Sequence, residues 1–161
     1  LLIPYTSNYA GTLLPGIREY TVTPGEKTTT ISGKGKAGLK QEENYYFFYL
    51  PVCYKGITGK SYAYYNTSRS KNLYLPASVD ENYSYDIQLP ENLTLCTPIQ
   101  EKKIDNPIGS FKITLTSEGS SLHIELALQI KKQLITPAEY PAFRSLITEW
   151  TDRTRKPILF K

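Results

Sequence analysis

A chain of 161 residues, 40% hydrophobic and 12% aromatic, has the apolar mass for one ordinary domain with a real core, which excludes a disordered segment. Its net charge of +4 is modest and scattered in short groups such as Lys102-Lys103 and Lys131-Lys132, without the concentrated stripe of a nucleic-acid binder. No run approaches the roughly 18 apolar residues of a membrane span, so neither nucleic acid nor a bilayer interior is an expected partner.

Tyrosine is abundant, at 14 residues, and methionine is absent. Tyrosine, threonine and isoleucine fit pleated surfaces, so the composition leans towards β structure. The start at Leu1-Leu2, with no initiator methionine and no signal-peptide pattern, suggests a processed chain or a fragment. Residues 1–14 read as a leading segment or linker, punctuated by Pro4, Asn8 and Gly11. From residue 15 to residue 161 a single domain is expected.

Ile17–Thr23 alternates, with Tyr20 and Val22 as the better core face, and Pro24-Gly25 turns it into a return strand over Thr28–Leu39. The glycines and lysines of that return strand mark a bulged, protected edge. Glu43–Cys53 is the most apolar run, with Tyr45, Phe47 and Tyr49 on one face and Tyr46, Phe48 and Leu50 on the other. A strand apolar on both faces is expected to be central and covered on both sides. Gly56–Ser70, polar and tyrosine-rich, reads as a long loop or a short strand with turns, after which Leu73–Pro76 resumes order. Tyr83, Tyr85, Ile87 and Leu89 then point inward against Ser84, Asp86 and Gln88. Phe111, Ile113 and Leu115 alternate before a turn at Ser117–Ser120, and Leu122, Ile124, Leu126, Leu128 and Ile130 form the longest strict alternation. These two segments predict an antiparallel hairpin.

Thr136-Pro137-Ala138-Glu139 fits a capping box, and Tyr140, Phe143, Ile147 and Trp150 recur at helical spacing. A helix over about 137–150 follows, its regular part displaced to Pro141 if the first turn is separate. Pro157–Phe160 is read as a last short strand. The resulting fold class is mainly β: an antiparallel β-sandwich with one C-terminal amphipathic helix.

The chemistry-bearing residues assemble no catalytic constellation. His123 is the sole histidine and lies on the parity opposite Leu122 and Ile124, which makes it a solvent-facing strand residue. A Cys–His pair could draw only on Cys53 or Cys96, and neither opens a helix or a glycine-rich elbow. One histidine and two distant cysteines give no metal set, and no glycine-rich phosphate cradle is present, so no cofactor is expected. The two cysteines fit one disulfide, buried free thiols or an unpaired thiol each, with buried reduced cysteines favoured over a Cys53–Cys96 bridge. Tyr62, Tyr64, Tyr65 and Arg69, beside Asn66 and Thr67, form a tentative ligand or partner surface able to stack on sugars or line a protein interface. The simpler reading of the same tyrosines is cover for a sheet face.

The ordered series Arg69…Leu73-Tyr-Leu-Pro76, Tyr85–Pro90, Gly109-Ser-Phe111, Leu122–Ile130 and Ile135–Phe143 resembles the C-terminal β-rich region of bacterial transglutaminase-like proteins, especially those of Bacteroidetes. In that family an N-terminal β domain of uncharacterised function and a papain-like transglutaminase domain come first. The likeness covers about residues 69–161, and residues 15–55 fit more loosely. It implies a non-catalytic accessory or interaction domain of an exported transglutaminase- or protease-like protein, packing on the catalytic domain or binding a partner. It also implies an extracytoplasmic location, periplasmic or cell-surface, with any signal removed or carried upstream. The catalytic Cys, His and Asp of such proteins belong to the middle domain, so none is carried onto this chain. The alternative from the residues alone is a carbohydrate-binding module using residues 62–69, with glycans as the partner.

Overall fold

A computed structural model describes residues 17–25, 29–36, 38–52, 57, 68–98 and 100–161. Its backbone is dominated by antiparallel strands, and one helix follows them near the C-terminus. The largest sheet joins β6 (Val79–Gln88), β9 (Ser121–Ile130), β8 (Gly109–Glu118) and β7 (Gln100–Asn106) in that spatial order. The alternation of Leu122–Ile130 makes β9 a central strand. Its in-register neighbours Tyr83, Tyr85 and Ile87 on β6 and Phe111, Ile113 and Leu115 on β8 share the apolar face. A one-residue slip would turn that whole set to solvent, so the pattern itself fixes the register.

This single apolar face is covered by two different elements. One half receives α1 (Tyr140–Arg155), whose Phe143, Leu146, Ile147 and Trp150 are buried with Phe111, Ile113, Leu126 and Leu128. The other half receives a three-stranded sheet ordered β11 (Ile158–Phe160), β4 (Tyr45–Phe48), β3 (Lys40–Glu42). There Phe48 and Phe160 stack at 5.7 Å and pack with Leu115, Leu122 and Ile124. The second layer of the sandwich is thus part sheet and part helix. Each fully buried aliphatic or aromatic side chain contributes about 1.5–3 kcal/mol relative to exposure, so both halves are needed to cover β9.

The link into α1 follows from the capping box. The Thr136 backbone N–H donates to Glu139 Oε2 at 3.1 Å, and the Glu139 N–H donates to Thr136 Oγ1 at 3.4 Å. This pair closes a separate turn, and the helix begins after it at Tyr140, with Pro141 in the first turn where no intrahelical N–H is missed. The helix therefore starts later than the 137–150 periodicity indicates and continues to Arg155. Thr154, buried with its hydroxyl donating to the Trp150 carbonyl at 2.9 Å, extends the inner stripe without an apolar residue. Lys156-Pro157 ends the helix, since a residue before proline is pushed out of the helical region.

Glycine has a steric reason at one position. Gly109 lies opposite Ile130, and a Cβ there would sit 1.8 Å from the Gln129 carbonyl oxygen. Beside it, Asn106 Oδ1 accepts from the Ile108 and Gly109 N–H groups at 2.9 and 3.3 Å, while its amide donates to the Ala142 carbonyl at 3.1 Å. The β7–β8 turn is thereby fastened to the first turn of α1.

Several expectations change. β7, β3 and the two-residue β10 (Leu134–Ile135), paired with β5 (Leu73–Tyr74), lie in segments where the sequence shows little strand periodicity. β4 is central in its sheet, but only its Phe48–Leu50 side is covered; Tyr45 and Tyr49 are 45% and 48% exposed on the other. Among the described residues, β4 has an inner partner and no outer layer. Cys96 is exposed, not buried, because it lies on the segment that borders β11, where its N–H donates to the Leu159 carbonyl. β1 (Ile17–Pro24) and β2 (Thr29–Gly35) form the expected antiparallel hairpin, with the register irregularity between Ile17 and Glu19 of β1. Residues 1–14, Cys53 and the side chains of Tyr20 and Val22 lie outside the described residues.

Candidate functional site

His123 occupies the polar face of the large sheet. Its Nδ1 lies 2.7 Å from Asp86 Oδ1 across the β6–β9 pair, and Glu125 bonds Lys112 at 3.2 Å on the β8 side. The Asp86 hydrogen bond, aided by Glu125, raises the His123 pKa above its ordinary value. Lys112 holds the Glu125 carboxyl below its ordinary value. This is a cross-strand charge ladder, in which the imidazole is engaged by carboxylates on neighbouring strand positions. Cys96 lies in the segment bordering β11, whereas His123 is on the outer face of the large sheet. The described residues contain no group of three or more His, Cys, Asp or Glu able to hold a metal ion. No described helix is long and apolar enough to cross a membrane.

Glu81 is a carboxyl on the inner side of β6. It accepts from the Ile57 N–H at 2.6 Å and from the Tyr83 hydroxyl at 3.0 Å. Desolvation raises its pKa, and those two donors oppose the rise. With both partners coming from the protein itself, the arrangement is a satisfied structural carboxyl that pins residue 57 to the sheet.

The feature with binding character is an open groove of about 460 Å³ along the outer flank of α1. Pro137, Tyr140, Pro141, Arg144, Ser145, Thr148 and Glu149 line one side, and Ser68, Arg69 and Ile104 the other. Helical spacing puts Tyr140, Arg144 and Thr148 on successive turns of that flank. Tyr140 is 3% exposed and forms the floor. Its ring lies 5.9 Å from the Arg69 guanidinium carbon, a cation–π arrangement. Burial raises the Tyr140 pKa, opposed by the positive charges of Arg69 and Arg144.

The charges of the groove do not balance. Glu149 is matched by Lys102 at 2.6 Å. Among the described residues no carboxylate pairs with Arg69 or Arg144, and the Arg69 Nε is buried without a hydrogen-bond partner. A desolvated guanidinium N–H lacking an acceptor is costly, and here the described residues supply none.

Of the tentative surface Tyr62, Tyr64, Tyr65 and Arg69, only Arg69 is among the described residues, and it faces this groove. Its companions there, Tyr140 and Arg144, come from a segment read for its core stripe. The signal that marks them is their i, i+4 spacing on one helix flank.

Another surface stands out by its apolarity. The outer side of the β3–β4–β11 sheet presents Tyr45, Phe47, Tyr49 and Leu159, with Phe47 and Tyr49 in edge-to-face contact at 6.1 Å. Lys40 Nζ lies 5.8 Å from the Tyr49 ring centre.

Residues 44–160 match the family described as "Domain of Unknown Function with solved-structure structure (DUF3858)". The fold is also similar to a crystal structure of a "putative protease" from Parabacteroides distasonis, with a TM-score of 0.63 and 31% sequence identity. That likeness covers 74% of this chain and 24% of the Parabacteroides chain, so this chain spans about a quarter of its relative. No curated protein matches. With the family match running from β4 to the last residue of β11, the chain belongs to the DUF3858 family, whose function is unknown.

Proposed function

We propose that this chain serves as a non-catalytic accessory domain of a longer, exported protein of the protease or transglutaminase-like kind, packing on its catalytic domain. The observation that carries this reading is the asymmetry of the structural match, which takes in 74% of this chain but 24% of the Parabacteroides protein. A unit that recurs as a minor part of a longer polypeptide is expected to work through contact with the remainder. The outer β3–β4–β11 face supports the same view. Its exposed Tyr45, Tyr49 and Leu159 form an apolar patch of the kind domain interfaces use. His123 is engaged by Asp86 on an open sheet, a poor setting for a general base that must be positioned against a substrate.

The test is made on the longer polypeptide, expressed with and without residues 17–161. Excision is expected to lower the activity of the catalytic part or its melting temperature. Unchanged activity and melting, or the absence of a catalytic domain from the same polypeptide, would overturn the proposal. Binding on a glycan array that disappears with Tyr64→Ala would instead assign the domain to carbohydrate recognition.

A further inference from the structure

We infer that the Arg69–Tyr140–Arg144 groove is the docking site for a carboxylate-bearing peptide segment of the partner. Three observations converge on that chemistry. Arg69 and Arg144 supply positive charge to one groove, while Glu149, the one carboxylate among its described lining residues, is already neutralised by Lys102. Among the described residues the Arg69 Nε has no hydrogen-bond acceptor and no carboxylate engages this guanidinium, which is left to bind one from outside. The exposed Pro137 and Pro141 provide rigid apolar walls above the Tyr140 floor, against which the stem of an acidic side chain packs.

Size points to a short extended segment. From Pro141 to Glu149 the helix advances roughly 12 Å at about 1.5 Å per residue, the span of about four residues of extended chain. Guanidinium groups bind carboxylates through paired N–H donors and hold them in a fixed orientation, so the groove selects acidic over neutral peptides. The identity of the partner rests on the accessory role proposed above; the chemistry of the groove does not.

The experiment titrates the 161-residue chain, ¹⁵N-labelled, with a capped peptide acetyl-Gly-Glu-Pro-Glu-Gly-amide and with its Gln counterpart, following backbone amides by NMR. The Glu peptide is expected to give saturable shifts centred on Arg69, Tyr140, Arg144 and Ser145, with a dissociation constant on the order of 1 mM. Added salt weakens binding, and the Gln peptide binds about tenfold less well. In Arg69→Gln/Arg144→Gln the shifts fall about tenfold at equal peptide, while dispersion elsewhere in the spectrum shows that the variant is folded. Arg144→Lys, which keeps the charge, retains part of the response. Equal binding of the Gln peptide, shifts centred elsewhere, no saturable shifts, or undiminished binding by the folded double variant would overturn the inference. Failure of the accessory role registers separately, as a longer polypeptide indifferent to loss of the domain although the groove still binds the Glu peptide.

Discussion

Truncating Phe143 to alanine probes the packing of α1 on the large sheet. Its side chain is fully buried, between Tyr140, whose ring centre is 5.9 Å away, and the cluster that includes Phe111, Leu126 and Leu128. A buried phenylalanine removes roughly 150–250 Å² from water, and alanine keeps only a minor part of that. At about 25 cal/mol per Å², the transfer contribution is roughly 3 kcal/mol. The helix is held at its start by Asn106 and flanked by Lys102–Glu149, so the site collapses incompletely and a cavity contribution adds to the loss. The expected total for Phe143→Ala is about 3–5 kcal/mol, a large share of the roughly 5–15 kcal/mol by which such domains are stable. Urea unfolding followed by tryptophan fluorescence reports it directly, because Trp150 lies in the same cluster. The midpoint should fall at unchanged m-value. Leu134→Ala, at a side chain 48% exposed, serves as the control and should cost less than about 1 kcal/mol. A loss below about 1 kcal/mol for Phe143→Ala would reject the helix as a core element.

Other outcomes follow from particular contacts. Gly109→Ala should cost more than about 2 kcal/mol in the same urea assay, since its Cβ collides with the backbone carbonyl of Gln129 and only a shift of β8 against β9 relieves it. Tyr85→Phe should cost about 1 kcal/mol, through loss of the 2.6 Å hydrogen bond from its buried hydroxyl to the Pro51 carbonyl. Glu139 is held at about 2 by Lys132 and by the N–H and hydroxyl of Thr136. A depressed carboxyl pKa stabilises the fold fully above the ordinary value of 4.5, and that contribution is lost as the pH falls towards 2. Glu139→Gln should flatten this part of the acid-stability profile. For His123 the sign is opposite: a raised pKa stabilises below 6.5 and the contribution disappears as the pH rises through the folded value. An NMR titration should place His123 above its ordinary pKa, and Asp86→Asn should return it towards that value.

The parts of the fold that were legible share one property: their burial pattern is written in consecutive residues. Leu122–Ile130 announces a half-buried strand in its own alternation, and Phe111–Leu115 supplies a matching partner through a short turn. The capping box at Thr136 and Glu139 is equally local, and both reciprocal bonds form. β7 escapes notice because Gln100–Asn106 is an edge strand carrying Glu101, Lys102, Lys103 and Asp105, with Ile104 as its one large apolar residue. Such charges discourage pairing with another chain and mask strand character at the same time. The uncovered side of β4 is a related case. Apolar residues on both faces suggest cover on both, but the local pattern does not say which face the fold leaves exposed. The groove is the least legible element, because Arg69 and Arg144 are far apart in the chain and share a charge environment only once α1 has packed. Arg69 stood out as a polar residue near tyrosines, whereas Arg144 was hidden on the solvent flank of a helix read for its core.

The central claim, that this domain works by docking on the rest of a longer protein, is tested most directly by hydrogen–deuterium exchange. Amides of α1, of residues 68–75 and of the β3–β4–β11 sheet are compared between the isolated chain and the longer polypeptide. Added protection is expected in the longer protein across Tyr45–Phe48 and Ile158–Phe160 and along Tyr140–Glu149 and around Arg69, the groove part reduced by Arg69→Gln/Arg144→Gln. Identical protection in the two proteins would contradict the claim.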